Sequence, residues 1–578
     1  MNKSDRLSLR AFADQLEARL ETLFPEQLRD VVRHLALDIP PDERGGFLGQ
    51  LVPERTSAAI LTLARAESLV LDVLALKERQ TSDMTRIGHH YRARREDNRN
   101  FHGAYGELGP EFQNLFERAR AVFELGKFEL ARDAYRELFE VLALKDDYGF
   151  GVHRPEGLDL RAERGRYLRA VVEAAAPQAK AKMLLETARS LRERLWDAAD
   201  LSLTEPFQFT PLEFKGKDEV LDELLKSLSE DADRKSDRWL REFTRLRHGA
   251  RGMEALARTD GVRRPRAWIG WLEMVAAENT PTRLLAAAKD ALAGIADGLS
   301  LRAVAAEHLV RAAIALGDRE VRMLGRWEAY RADPCPRRLL DLWEGAAPPL
   351  DQRKWMLRAV AHSEQGGEAL LPGPLVGGTG REEDAPFLEP GDGFYDGASP
   401  AVTTCARLLA GQWHGALGDA KSKSPGGWAC GDVGFQTVLS LLMAWFSGWP
   451  DRELSGNLAE LLTQTLALAD EREEKASCTS IRLRKAFAEA ISTWKPPETP
   501  EKQVEALTQL ALREVSALLD AGYGADDRQA ALLAAAVADL HYARGNRDAG
   551  EKVIDGLLSR DESQPDFKKE LSARRNLR

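Results

Sequence analysis

The chain has 578 residues, 44% of them hydrophobic and 30% charged, and a formal net charge of −10. That length exceeds what one compact core fills, the balance is that of a folded chain, and the acidity argues against wholesale coating of nucleic acid. Leu, Ala, Arg and Glu dominate, and straight-chain residues lose little rotamer freedom in a helix, so the expected fold class is all-α. Four scattered cysteines, Cys335, Cys405, Cys430 and Cys478, suit a reducing compartment. The opening MNKSDRLSLRAFADQLEARL has no apolar signal-peptide core, and the longest apolar run, 438–449, is too short for a bilayer. The expectation is a soluble, cytoplasmic protein with no membrane contact.

Taken in chain order, Leu9, Phe12, Leu16, Leu20 and Leu23 recur at helical spacing and predict a first helix. A second apolar run, 28–37, leads to Pro40, Pro41, Asp42 and Glu43, a helix-start signal. His89, His90 and His102 lie in HHYRARREDNRNFH. The arginines there would repel a cation and no cysteine is near, so the stretch reads as a solvated connection and no metal site is expected.

Residues 111–142 read EFQNLFERARAVFELGKFELARDAYRELFEVL. Gly126 supplies a tight turn, Ala119 and Ala131 let two helices approach, and Phe128 with Tyr135 fills the groove between them. This Gly-x-aromatic-x2-Ala-x3-Tyr spacing resembles a tetratricopeptide repeat. Residues 304–334 keep Gly317 and Pro334 but have Arg319 at the aromatic position; residues 531–558 keep Gly545, Gly550 and Ile554 but have Arg547 there. The resemblance implies an irregular helical-hairpin, tetratricopeptide-like solenoid, with a surface that binds other proteins.

The strongest local charge lies at 234–266, where eleven Lys/Arg meet four Asp/Glu. Arg234, Arg238, Arg241 and Arg245 line one helical face and are candidate partner-binding residues for phosphates or an acidic protein surface. The competing reading is a solvated face paired with nearby acids. It is favoured over nucleic-acid binding because no aromatics interleave with the arginines. Trp268 and Trp271, or Trp445 and Trp449, would anchor an interface or, as their neighbours suggest, fill the core.

Two interruptions organise the rest. Residues 363–400 hold nine Gly and five Pro, which no helix can run through. Residues 415–427, GALGDAKSKSPGG, read as an exposed loop. The expected domains are therefore a helical 1–362, a Gly/Pro-rich linker at 363–400, and a helical 401–578. Exposed loops are where proteases reach backbone, and Lys421, Ser422, Lys423 and Ser424 mark the candidate cleavage loop. In size, helical class and loop placement this organisation is similar to the helical protein cleaved by the caspase-like protease of type III-E CRISPR systems. That likeness implies regulated cleavage linked to a sigma factor and antiviral defence.

Catalytic signals are sparse. Cys430 with His414 would make a thiolate–imidazole pair for a cysteine hydrolase, but nothing nearby supplies a lowered thiol pKa. Cys405, His414 and Cys430 match no zinc spacing, and no phosphate loop, dinucleotide fingerprint, HExxH or GxSxG occurs. The expectation is a non-catalytic scaffold or adaptor without cofactor or metal. Its partners would be proteins, a protease or a transcription regulator among them.

Overall fold

The computed structural model describes residues 68–81, 109–144, 157–195, 201–208, 214, 216–231, 236–366, 368–374, 386–389, 392–393, 398–454, 456–468, 476–494, 500–521, 524–559 and 565–576. The expected helices at 9–37, the His89–His102 stretch and Arg234 lie outside the described residues. Among the described residues every regular element is a helix and none is a strand. None of those helices is long and apolar enough to cross a membrane.

Two compact units divide between Leu224 and Leu225, and not at the Gly/Pro-rich segment. The first contains α1 (residues 68–81), α2 (Gly109–Glu124), α3 (Phe128–Leu142), α4 (Leu160–Ala174), α5 (Lys180–Arg194), α6 (Glu205–Gln208) and the start of α7 (Lys217–Glu230). Helices α2 and α3 form the hairpin expected at 111–142. Ala119, Ala131 and Tyr135 are buried at its seam, while Phe128 meets the edge of Phe123 at 5.5 Å. Phe116, Phe139 and Tyr167 carry the packing on to α4, with ring centroids 5.9 and 5.4 Å apart.

The second unit contains α8 (Asp237–Asp260), α9 (Arg266–Ala277), α10 (Pro281–Gly294), α11 (Arg302–Leu316), α12 (Arg319–Ala332), α13 (Pro336–Gly345) and α14 (Leu350–Gln365). Beyond the Gly/Pro-rich segment follow α15 (Pro400–Leu409), α16 (Trp413–Lys423), α17 (Val433–Phe446), α18 (Gly456–Leu468) and α19 (Ala476–Thr493). The last four are α20 (Pro500–Ala521), α21 (Gly524–Ala543), α22 (Arg547–Leu558) and α23 (Pro565–Arg575). One core joins α8 to α12; Trp268 and Trp271 lie in it. A second runs from Trp327 on α12 to Leu571 on α23 and holds Trp449, so these tryptophans are core residues. Helix α17 is buried almost throughout, which accounts for the long apolar run that begins at 438.

Four hairpins close with one turn. Gly126, Gly317, Gly411 and Gly545 all take left-handed φ, at 73, 71, 75 and 76°. Each donates its N–H three residues back, and the next residue donates five back, as Lys127 does to the Val122 carbonyl at 3.2 Å. This double bond satisfies the last carbonyls of the first helix. Asp318 and Asn546 then cap the second helix through the N–H groups of Val321 and Ala549.

The Gly411 hairpin overturns the loop expected at 415–427. Helix α16 runs through Lys423, so Lys421, Ser422 and Lys423 are the exposed last turn of a helix and Ser424 is its C-cap. Trp413, Ala416 and Ala420 form the buried face. Gly415 and Gly418 lie inside this helix and neither takes a positive φ, so those glycines do not mark a turn. What remains, 424–431, is tied down: the buried Glu514 carboxylate accepts the N–H groups of Gly426 at 3.1 Å and Trp428 at 2.8 Å.

Candidate interaction surface: an anchored strap and an arginine face

The expected linker at 363–400 is, in its described parts, an anchored strap. Its inner anchor is built on Glu328, whose side chain is fully buried on α12. One carboxylate oxygen accepts the N–H groups of Leu370 at 2.5 Å and Leu371 at 3.2 Å. The other accepts Nε and Nη2 of Arg302, both at 3.3 Å, and Nη2 of Arg331 at 3.4 Å. Arg302 is also fully buried. Its Nη1 donates to the Leu292 and Ile295 carbonyls at 2.5 and 2.8 Å, closing the end of α10. Burial pushes the Arg302 guanidinium below its usual range, against the pull of Glu328 and Asp297. Asp297 accepts the Gly373 N–H at 3.2 Å and donates its own N–H to the Pro374 carbonyl at 3.2 Å. Gly373 permits this approach, because a Cβ there would lie 2.1 Å from the Ile295 carbonyl oxygen.

The outer anchor sits on the arginine face of α8 and α9. Phe387 is 4% exposed, with the guanidinium carbons of Arg263 and Arg264 at 4.6 and 4.8 Å from its ring centroid. Its N–H donates to the Arg263 carbonyl at 2.7 Å. Arg266 grips Asp392 through two bonds, 2.5 and 2.7 Å, the planar fork that guanidinium offers a carboxylate. Arg241 bridges Asp237 on its own helix and Glu389 on the strap. The Ser300 N–H meets the Gly393 carbonyl at 3.1 Å.

The candidate arginines thus face carboxylates. Arg238 pairs with Glu242 at 3.0 Å, Arg241 with Asp237 and Glu389, and Arg245 lies 3.9 Å from Glu273. The acidic surface that the stripe suits is in part the chain's own. Phe387, Glu389 and Asp392 escape sequence reasoning, and Arg263, Arg264 and Arg266 are counted in the basic segment without being named as candidates, although one signal was available: the stretch EEDAPFLEPGD opposes that segment in charge. Glu328, Glu163 and Glu514 leave no linear signal, since helical acids are common and nothing nearby in sequence marks these as buried.

Chemistry-bearing side chains are spread out. Among the described residues no group of three or more His, Cys, Asp or Glu could hold a metal ion. Cys405 is fully buried and its thiol is pushed up to about 12 by burial, whereas Cys430 and Cys478 are exposed. Burial also raises the half-buried Cys335 thiol. The native chain should therefore release about two thiol equivalents rapidly with an aromatic disulfide reagent, from Cys430 and Cys478, and the others only on unfolding. Peptide mapping that finds Cys405 modified in the native chain would contradict this packing. In comparisons with protein-family models, curated proteins and solved structures, no match was found.

Proposed function

We propose that this chain is a non-catalytic helical adaptor that binds a protein partner. The observation carrying that reading is the repeated hairpin: four helix pairs closed by the same left-handed glycine turn, at Gly126, Gly317, Gly411 and Gly545. Helix pairs of this kind, as in tetratricopeptide-like solenoids, offer long helical faces on which side chains select a partner without converging on a reacting atom. The spacing Gly411-x-Trp413-x2-Ala416-x3-Ala420 adds to the resemblance at 111–142.

Regulated cleavage, the alternative suggested by the likeness to the type III-E CRISPR substrate, meets two obstacles. Proteases take substrates extended, so a cut at Lys421–Ser424 requires the last turn of α16 to unwind. A cut within 363–400 crosses a segment whose flanking helices share one core. The adaptor reading is tested by cross-linking mass spectrometry on the full chain in its native host. The expected result is one protein partner at constant stoichiometry, cross-linked to hairpin helices. A chain recovered as a free monomer joined to no other protein contradicts it.

A further inference from the structure

We propose that this chain has a second, dimeric state in which two copies exchange the segments that precede Gly249. The observation lies in helix α8, which is not straight. Gly249, at φ 61° and ψ −149°, is the one non-helical residue inside it and splits it into arms 237–248 and 250–260. That conformation is open essentially to glycine alone. The arms fold back on each other. A Cβ on Gly252 would overlap His248 Cβ and lie 3.2 Å from Thr244 Cγ2, whereas a straight helix would set residues 244 and 252 about 12 Å apart along its axis. The open end of the fold is then clasped. The guanidinium of Arg264, a residue 1% exposed, donates through Nη1 to Asp237 at 2.9 Å and through Nε to Asp260 at 2.5 Å. Those two acids are the first and last residues of α8, and along a straight helix they would stand about 35 Å apart.

Only the glycine turn is peculiar to the folded-back form. Residues on both sides of it are helical and no proline interrupts 237–260, so a helical φ and ψ at Gly249 would make α8 one rod of about 36 Å. A rod cannot clasp itself, because Arg264 would keep Asp260 and lose Asp237. A second copy in the same state offers the missing Asp237 and receives the first copy's in return, which closes a symmetric pair. The other ties of the first arm are remade in the same way, Arg241 with Glu389 and Arg245 with Glu273. The arms are also buried separately, as exchange requires. Met253 and Ala257 of the second arm belong to the core of α8 to α12, while Trp239, Leu240 and Phe243 of the first arm are buried outside it. Exchange thus releases a strained one-residue hinge and remakes the named contacts, at the cost of joining two chains, so concentration decides the balance. The burial of the clasp sets the rate and not the endpoint: it closes once, during folding, and the two forms do not interconvert in native buffer.

This inference goes beyond the adaptor reading and does not depend on it. The full chain is unfolded in urea, refolded at about 2 and about 200 μM, and run on a sizing column with light scattering. The dimer fraction should rise with the refolding concentration and, once formed, persist on dilution. Gly249→Ala favours a helical backbone at the hinge, so its dimer-to-monomer ratio should exceed that of wild type at least about ten-fold at equal concentration. Gly252→Ala should act in the same direction, since its methyl group has no room in the folded-back form. The deciding pair is Asp237→Arg and Arg264→Asp. Each of these chains alone sets like charges against each other at the clasp, as monomer or as homodimer. In an exchanged heterodimer one clasp joins the two substituted side chains and the other joins the two native ones, so co-refolding should give a 1:1 heterodimer. That pairing decides even if neither chain folds alone, because only the heterodimer has matched clasps. A co-refolded mixture without heterodimer overturns the proposal. So does a Gly249→Ala chain that folds and stays monomeric after refolding at about 200 μM, or a dimer that parts on dilution without unfolding. None of these outcomes touches the adaptor reading, whose cross-linking test scores partners other than this chain.

Discussion

Replacing Glu328 with alanine is expected to destabilise the second unit by about 3–5 kcal/mol, the range for removing one partner of a buried ion pair. The carboxylate accepts the N–H groups of Leu370 and Leu371, and it lies between Arg302 and Arg331. Its removal leaves a fully buried guanidinium with, among the described residues, Asp297 and two carbonyls, and takes the acceptor from two amide groups. Glu328→Gln should cost less, because the amide oxygen can still accept from the strap while the charge is lost. Urea unfolding followed by circular dichroism reads both. The further signature is amide exchange at 370–373, which should accelerate in both variants before global unfolding. A Glu328→Ala chain as stable as wild type would mean the strap is not held from this point.

Glu163→Ala should be nearly as costly in the first unit, about 3 kcal/mol. Glu163 is fully buried on α4, accepts the Tyr135 hydroxyl at 2.7 Å and pairs with Arg120 and, at 2.9 Å, Arg166. Burial, with Glu163 beside it, pushes the Tyr135 hydroxyl well above its usual range, so it stays a donor throughout the accessible pH scale. Without the carboxylate, Tyr135 keeps its ring packing but buries an unpaired hydroxyl at the seam of the α2–α3 hairpin. Tyr135→Phe in the same background should recover part of the loss, since it removes the stranded group. Thermal unfolding of the single and double variants measures that coupling; strict additivity would deny the contact.

Helix content, the hairpin at Gly126 and the burial of the tryptophans were legible in the sequence, because each is written in residues a few positions apart. The Gly411 hairpin was hidden. Its turn and its buried Trp413, Ala416 and Ala420 are present, but Gly415, Gly418 and Ser422 on the solvent side give the stretch the composition of a loop. The strap was misread for a different reason. Gly and Pro do exclude helix at 363–400, yet an extended chain can be fixed by side chains far away in sequence. Arg266 and Asp392 are 126 positions apart, and no local pattern announces such a pair. Arg238, Arg241 and Arg245 lie on α8 as their spacing predicts, but the acids that face them come partly from the strap.

The central claim is that the helices on either side of the Gly/Pro-rich segment share one core, so that the segment does not link two separable halves. Helices on either side of it meet directly: Arg482 of α19 binds Asp341 and Glu344 of α13 at 2.6 and 2.9 Å, and Trp343 donates to Glu489 at 3.1 Å. Arg353 of α14 donates to the Ala410 carbonyl at 3.2 Å. The most direct measurement is to insert a site-specific protease site after residue 380, cut the folded chain to completion and run it on a sizing column. The account predicts that both fragments co-elute at the mass of the intact chain in native buffer and separate only in denaturant. Fragments that part in native buffer would show two separable domains and contradict it.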